Sequence, residues 1–313
     1  MRQALSTQDW DAIQTWQQAS EHRFVLSPTD ANYPPLLKEI TLRPDYLFIE
    51  GQISLLNQWS IAMVGSRNPT ATGIETAQRF AFELTQAGFV ITSGLAIGVD
   101  TACHLGAIKH NGATIAVLGT GIDVIYPRQN RALSQRILDS GGVLMSEYRL
   151  GTPPLAHNFP KRNRIIAGIS MGVLVVEATL KSGSLITARL ALEYNRELFA
   201  VPGSIHNPLS KGCHQLLRNG AKLVETTQDV YEELGQFIRT PIPFIGLDSD
   251  SPQTEKLAKG CDLLVKCVGY EPTPLDVIVL RSGLSAATVG VRLLELELLG
   301  IIDQRPDGYM RKG

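Results

Sequence analysis

The segment IAMVGSRNPTATGIETAQRFAFELTQAGFVITSG, residues 61–94, contains two short apolar runs separated by a stretch with helical periodicity. The first run, IAMVG, ends at Gly65, and the second run, FVITSG, ends at Gly94. Between them, apolar residues recur with a helical period from Thr70 to Ala87. Short continuous apolar runs that alternate with helices are typical of parallel strands buried on both faces. The segment therefore predicts a strand–helix–strand unit in a covered parallel sheet.

The same alternation continues as far as residue 225. Further apolar runs occupy residues 113–121, 142–147, 171–178, 197–203 and 221–225, and helices are predicted at 99–109, 130–139, 184–195 and 212–218. Polar or glycine residues follow most of the runs, so we expect them at the carboxyl ends of the strands. Open α/β sheets bind ligands at this edge, where helix N-termini attract phosphate. We therefore predict an α/β domain over residues 55–240 with a ligand site at that edge.

The segments on either side of this domain have their own patterns. Residues 1–54 form a polar N-terminal extension, in which DWDAIQTWQQ is a predicted helix and YLFIEG a predicted strand. Residues 241–254 are rich in proline and acids and are predicted to be a linker. In residues 255–313, two predicted helices precede two short strands around an RPDG turn. This order predicts a small winged-helix-like domain.

Composition excludes several classes of protein. The 313 residues are 44% hydrophobic and 19% charged, which is typical of a globular chain and not of a disordered one. The longest nearly apolar stretch, residues 165–176, is too short for a membrane span, and the N-terminus lacks the pattern of a signal peptide. Four cysteines with no C-x-x-C pair predict neither a disulfide framework nor a metal site. We expect a cytoplasmic protein without a cofactor.

The net charge of −1 hides an uneven distribution. Residues 55–224 carry 16 Lys and Arg against 9 Asp and Glu, whereas residues 1–54 carry 4 against 7 and residues 225–254 carry 1 against 6. A cationic block between acidic neighbours can attract phosphate even in a nearly neutral protein. The alternative is a chance scatter of charges over a solvated surface.

Three motifs in the cationic block could bind a nucleic acid. In GSRNPTATG, Gly65 follows a strand, and Ser66 and Arg67 could hydrogen-bond a phosphate; the alternative is an ordinary turn. In HNFPKRNR, the cations are interleaved with an aromatic ring, a combination that suits single-stranded nucleic acid. The residues of this motif are Phe159, Lys161, Arg162, Asn163 and Arg164. The alternative for it is a helix start with Phe159 in the core.

The third motif precedes a predicted helix. Lys181, Ser182, Gly183 and Ser184 combine a cation, two hydroxyls and the free amides of a helix start, which together could bind an anion. The sequence is not a Walker A loop, because the pattern G-x-x-x-x-G-K-[ST] does not occur. The alternative is helix capping by Ser182 or Ser184.

Taken together, these stretches resemble the DNA-processing protein A family (DprA, also called Smf). The matching strings run in order from residue 60 to 225 and include GSRNPTATG, TSGLAIGVDTACHLGAI, NFPKRNRIIAGIS and VVEATLKSGSLITARLALE. The resemblance implies an extended Rossmann-like domain that binds single-stranded DNA and has no enzymatic activity. It also implies a homodimer that delivers the recombinase RecA to single-stranded DNA in natural transformation, with a single-strand-binding protein as a further partner. The three motifs above match the family's basic pocket.

Two other functions are considered. Hydrolases that cleave phosphoribosyl–base bonds have a fold similar to the predicted one. Their site contains a P-G-G-x-G-T loop with a catalytic Glu nearby. Here the loop is TLKSGSLITA, no Glu follows it before Glu193, and only Glu147 and Glu177 at strand ends could act as a base. A transcription factor would read duplex DNA through the tail, but residues 285–299 contain a single cation, Arg292, against Glu295 and Glu297. The tail is therefore expected to contact protein or to regulate the pocket rather than to read duplex DNA.

Overall fold

Nine strands form one sheet in the computed structural model, which describes residues 7–109, 112–235 and 261–312. The strands are β1 (Arg23–Leu26), β2 (Leu47–Gly51), β3 (Ser60–Val64), β4 (Val90–Ser93), β5 (Thr114–Val117), β6 (Val143–Ser146), β7 (Gly172–Val175), β8 (Glu197–Ala200) and β9 (Lys222–Leu223). Their order across the sheet is β1-β2-β6-β5-β4-β3-β7-β8-β9. Strands β3 to β9 are parallel, and β2 runs antiparallel to both β1 and β6.

Helices cover both faces of the sheet. They are α1 (Thr7–Gln18), α2 (Pro35–Glu39), α3 (Ala71–Gln86), α4 (Val99–Ala107), α5 (Arg131–Asp139), α6 (Asn158–Gly168), α7 (Ser184–Glu193), α8 (Lys211–Arg218) and α9 (Thr227–Leu234). In β3, Ile61 and Met63 belong to the core formed with α3 and α4, whereas Ala62 and Val64 belong to the core formed with α6 and α7. This burial of successive side chains on opposite faces explains why the strand is a continuous apolar run.

The predicted α/β pattern is confirmed. Each of the seven apolar runs contains a strand, and the predicted helices end within about two residues of the observed ends. The N-terminal extension differs from the expectation because β1 and β2 are hydrogen-bonded into the sheet beside β6. Pairing with β2 covers the edge that β6 would otherwise expose, and Phe48 and Ile49 of β2 are buried there. The domain boundary at residue 54 stays a prediction.

The C-terminal residues form the predicted winged-helix domain. It contains α10 (Cys261–Cys267), α11 (Leu275–Ser282), α12 (Ala286–Leu298), β10 (Ile302–Arg305) and β11 (Gly308–Arg311). Ile278, Val289, Leu293 and Ile302 are fully buried in its core. The predicted linker, 241–254, lies outside the described residues.

A salt bridge joins this domain to the sheet domain. The Arg281 guanidinium donates to both carboxylate oxygens of Glu75 on α3, at 2.8 Å each.

In the described ranges, no single helix is long and apolar enough to cross a membrane. The pair α11 and α12 reaches the required length and composition only when the two are taken together across a 107° bend.

Candidate nucleic-acid interface

A cavity of about 420 Å³ opens at the carboxyl ends of β3 and β7. The two strands are neighbours in the sheet. After β3 the sheet grows toward β4 on one side, whereas β7 and β8 are added on the other side of β3. Their following helices, α3 and α7, pack on opposite faces of the sheet. The loops therefore diverge and leave a crevice, which is the topological switch point at which open α/β sheets bind ligands.

Nine of the twelve predicted site residues line this cavity. They are Gly65, Ser66, Arg67, Phe159, Arg162, Asn163, Ser182, Gly183 and Ser184. Lys161 and Lys181 do not line it, but both are exposed and each adjoins a lining residue in the chain, Pro160 and Ser182 respectively. The three motifs thus meet at one cavity, and we call Arg67, Lys161 and Lys181, the exposed cations in or next to its lining residues in the chain, the rim cations.

The loop after β3 holds Arg67 at the mouth of the cavity. The Ser66 carbonyl accepts a hydrogen bond from the Val99 N–H at 3.0 Å, which ties the loop to the start of α4. A Cβ at Gly65 would lie 2.7 Å from the Val99 side chain, so packing alone already requires a glycine at this position. Arg67 itself is exposed, and no carboxylate in the described part of the chain pairs with it. Its charge is therefore available to an anion.

Arg162 is buried, although the sequence motif predicts that it contacts nucleic acid together with Lys161. It is 4% exposed and donates through Nη1 to the carbonyls of Gly94, at 2.6 Å, and of Val117. A Cβ at Gly94 would lie 2.6 Å from this guanidinium, so only glycine fits beside it. Burial lowers the pKa of Arg162 to about 10, against the opposing effect of Asp100. Arg162 thus forms an internal wall of the cavity and also joins β4 to β5.

Asp100 is the buried acid of this wall. Its carboxylate accepts the N–H groups of Gly94 and Ala96 at 3.1 and 3.3 Å. Burial raises its pKa, while the charge of Arg162 and more weakly that of Arg67 lower it. The carboxylate and the two guanidiniums therefore form one electrostatic group around the start of α4.

Arg164 is committed to a different contact. Its Nη2 pairs with Glu147 after β6, and the two side chains are 17% and 14% exposed. Its charge also acts on the buried Tyr33 of the N-terminal segment and on Tyr148. The interpretation of Arg164 as a free phosphate contact therefore lacks support from its geometry, because its charge is neutralised away from the cavity.

Two aromatic rings meet beside the cavity. Phe159 lies 5.5 Å from Tyr126, centroid to centroid, with a tilt of 44° between the rings. A Cβ at Gly119 would lie 2.8 Å from Phe159, so this glycine makes room for the ring. Tyr126 is 46% exposed, and the sequence analysis missed it. Its only signal was an aromatic residue in the loop after the third apolar run, which is too common to identify a site.

The start of α7 is open to the cavity. Ser182 Oγ lies 2.6 Å from Ser184 Oγ and accepts the Ser184 N–H at 3.3 Å. The N-cap residue is Gly183, however, so the capping by Ser182 or Ser184 that the sequence left open is not the arrangement seen. A Cβ at Gly183 would meet no atom within 4 Å, which leaves the backbone there accessible. Asn163 of α6 donates to the Gly183 carbonyl at 3.5 Å. The Leu185 and Ile186 N–H groups donate to the Ser182 and Gly183 carbonyls at 3.2 and 3.1 Å. The amides that the sequence predicts to be free at this helix start are therefore largely engaged within the chain.

The two carboxylates considered as catalytic bases are both engaged in structural contacts. Glu177 accepts the N–H and the hydroxyl of Thr70 at 2.9 and 2.7 Å, which fixes the start of α3. Glu147 pairs with Arg164. Of the residues that the structure describes, no group of three His, Cys, Asp or Glu side chains is arranged to hold a metal ion.

Comparisons with known proteins identify the family of the chain and proteins of similar sequence. A sequence model of the family "DNA recombination-mediator protein A" matches residues 24–235, and a model of the "DprA winged helix domain" matches residues 249–308. Protein Smf of Escherichia coli K12 is 45% identical over 298 residues, which cover 95% of this chain and 79% of that protein. The DNA processing protein DprA of Streptococcus pneumoniae R6 is 47% identical over 204 residues, covering 65% and 72%.

Two solved structures are similar as well. The X-ray structure of DprA from Streptococcus pneumoniae has a TM-score of 0.65 and 44% identity, over 71% of this chain and 77% of that chain. The DprA structure from Helicobacter pylori, described as revealing a single-stranded DNA binding mode, has a TM-score of 0.62 and 31% identity, over 69% and 96%. The first family model alone spans more than half of the sequence. The chain therefore belongs to the DNA recombination-mediator protein A family, whose members are named DprA or Smf.

Proposed function

We propose that the protein is a recombination mediator that binds single-stranded DNA in the cavity at the β3–β7 switch point. The observation that carries the proposal is that Arg67 and Phe159 line this cavity, and that Lys161 and Lys181 are exposed and adjoin lining residues in the chain. The Helicobacter pylori relative, described as binding single-stranded DNA, supports the choice of ligand.

The exposed cations supply a sequence-independent affinity. Each phosphate that a Lys or Arg neutralises releases a condensed counterion, with a logarithmic salt slope of about −0.7 per contact for single strands. Three rim cations therefore predict a slope of about −2 per protomer. Arg162 and Arg164 are left out of this sum because their guanidiniums are engaged inside the protein.

The aromatic pair supplies contacts to bases. A base can stack on Phe159 or Tyr126 whatever its identity, because every base has a π-face. Stacking of this kind requires an unpaired base, whereas a duplex hides its faces. The site therefore favours single strands without selecting a sequence, which suits a protein that must accept any incoming strand.

The cellular role follows from the family resemblance. The protein protects incoming single-stranded DNA in the cytoplasm and loads RecA onto it during natural transformation. It acts as a homodimer, so one flexible strand can enter two cavities, and the second contact is favoured by a high effective concentration. Single-strand-binding protein is the further partner, because it covers the same DNA. No chemical step is required for this role.

The rim is tested by measuring the anisotropy of labelled dT oligomers over a salt series. The triple variant Arg67→Ala, Lys161→Ala, Lys181→Ala is compared with the control triple Lys109→Ala, Arg136→Ala, Arg218→Ala. The control removes the same charge near the C-terminal ends of α4, α5 and α8, at the opposite edge of the sheet. We expect the rim variant to lose most of the affinity and about 2 units of salt slope. Equal losses in both triples would refute a localised site.

The mediator role is tested separately with RecA. RecA assembly on dT coated with single-strand-binding protein is followed through its DNA-dependent ATPase activity. The wild-type chain should shorten the lag before assembly, and the rim variant should not. Acceleration by a rim variant that no longer binds DNA would contradict delivery through the cavity.

A further inference from the structure

Helix α12 of the winged-helix domain has one buried apolar stripe and one exposed apolar stripe. Val289, Leu293 and Leu296 are at most 2% exposed and pack in the core of the domain. The remaining apolar residues of the helix do not contribute to that core. They include Val291 and Leu294, which are 63% and 58% exposed.

The exposed residues form a continuous seam on the opposite side of the helix. This outer seam consists of Ala287, Val291, Leu294 and Leu298, and Leu298 is 81% exposed. The spacing is four, three and four residues, so at 3.6 residues per turn the four side chains stay within about 60° of one another. Such a spacing is the a/d pattern of paired helices. The outer seam is about 16 Å long, enough for three turns of a second helix.

Acidic residues flank the outer seam. Glu295 and Glu297 lie about 80° to either side of its centre by helical geometry. They occupy the positions that set partner choice in helix pairs through opposite charges. Glu295 is exposed, and Glu297 is partly exposed and accepts the Gln304 N–H at 3.3 Å. A partner helix therefore gains from cations at its own flanking positions.

The charges argue against two other occupants. Helix α12 stands where winged-helix proteins place the helix that enters the major groove, but an apolar seam between two glutamates offers no donors for base edges or phosphates. A second copy of α12 packed antiparallel would set Glu295 against Glu295 and Glu297 against Glu297. Like charges at these positions oppose pairing.

We infer that the outer seam of α12 docks a basic amphipathic helix of another protein, with apolar residues in the seam and Lys or Arg beside Glu295 and Glu297. The contact is small for a protein interface, so it suits a transient partner rather than a permanent subunit. It lies on α12, whereas the DNA cavity lies at the ends of β3 and β7. The two surfaces share no residue, so the proposal allows DNA and the partner helix to be bound together.

The test uses two synthetic peptides of three heptads with Leu at the a and d positions. One has Lys and the other Glu at the e and g positions, and the like charges keep each peptide from pairing with itself. Binding to the full chain is measured by anisotropy at low and high salt. We expect the Lys peptide to bind at least about fivefold more tightly at low salt, with the preference shrinking at high salt.

Matched variants locate the contact. The double variant Leu294→Gln, Leu298→Gln should weaken binding of the Lys peptide by about tenfold or more. Its melting temperature and circular dichroism spectrum should stay unchanged, because both side chains are exposed. Glu295→Lys with Glu297→Lys should reverse the preference toward the Glu peptide. Glu295→Lys alone, which keeps the bond between Glu297 and Gln304, should reduce the preference in the same direction.

Several outcomes would overturn the inference. They are equal binding of the two peptides, no binding of either, or binding of the Lys peptide that the Leu294→Gln, Leu298→Gln variant retains. If sedimentation shows that the wild-type chain self-associates and that the Leu294→Gln, Leu298→Gln variant does not, the outer seam binds a second copy of this chain. Duplex DNA binding that is lost with the seam and independent of the cavity would assign it to DNA.

Discussion

Replacing Arg162 by alanine should destabilise the fold more than any other single cation substitution in the basic run. The guanidinium is buried and bonds the carbonyls that follow β4 and end β5, Gly94 and Val117. Alanine leaves both carbonyls without this donor and leaves Asp100 without its main compensating charge. Removing one side of such a buried charged contact costs about 3–5 kcal/mol. For a domain of this size that corresponds to a melting temperature lower by about 6–20 °C.

The neighbouring lysine is a matched control. Lys161 is exposed, so Lys161→Ala should change stability by less than about 0.5 kcal/mol. The melting temperature of each variant is measured by calorimetry. The DNA affinity of both is then measured at a temperature well below the lower of the two melting temperatures. Arg162→Lys should lie between, because an ammonium keeps the charge without the planar fork of donors. If Arg162→Ala and Lys161→Ala have the same melting temperature, the buried position of the guanidinium is wrong.

The loss should also depend on pH through Asp100. Burial raises the pKa of this carboxyl in the folded state above its ordinary 3.8, so its proton stabilises the fold at low pH. That stabilisation is lost as the pH rises through the folded pKa. Without Arg162 the folded pKa moves higher still, so the deficit of Arg162→Ala should grow as the pH rises from the folded pKa of the wild-type carboxyl toward that of the variant. Adding Asp100→Asn should flatten this dependence, and a deficit independent of pH would contradict the coupling.

Three further predictions concern the cavity and the domain contact. Gly65→Ala should lower the free energy of unfolding, measured in urea, by about 1–3 kcal/mol, because the new Cβ would lie 2.7 Å from a neighbouring side chain. Gly183→Ala should change the free energy of unfolding by less than about 0.5 kcal/mol. Tyr126→Ala should weaken dT binding by about 1–3 kcal/mol with an unchanged salt slope, and a changed slope would show that it acts through phosphate contacts. Arg281→Ala breaks the bidentate bond to Glu75 and should speed hydrogen exchange at the start of α3; unchanged exchange would show that the bond does not hold the domains.

Much of the sheet could be predicted because each parallel strand is buried on both faces. Such strands are continuous apolar runs, and a glycine or polar residue marks where each one ends. The position of the cavity followed from the same pattern, since the motifs sit at strand ends. Strand β1 was missed because three of the four residues of Arg23–Leu26 are only partly buried, so its sequence lacks the continuous apolar run that marks the parallel strands. The pairing of β2 with β6 joins segments about 95 residues apart, and no local pattern shows such a contact.

The roles of the individual cations were harder to predict. Arg162 lies three and four residues before the buried Ile165 and Ile166, so helical periodicity places it on the inward face of α6. That signal was present, but the density of positive charge in the motif favoured exposure. The pairing of Arg164 with Glu147 depends on the tertiary fold, because the two come from different elements. The sequence motifs thus predicted where the cavity lies, whereas burial decided which of their charges remain exposed.

The central claim, that one strand lies in the cavity between β3 and β7, is tested most directly by photocrosslinking. A dT oligomer that contains 5-iodouracil is bound to the full chain, irradiated and digested, and the crosslinked peptides are identified by mass spectrometry. The account predicts crosslinks at Phe159 and Tyr126, the rings on which a base can stack. Crosslinks confined to residues 275–312 of the winged-helix domain, with none in the loops at the ends of β3, β5 and β7, would contradict it.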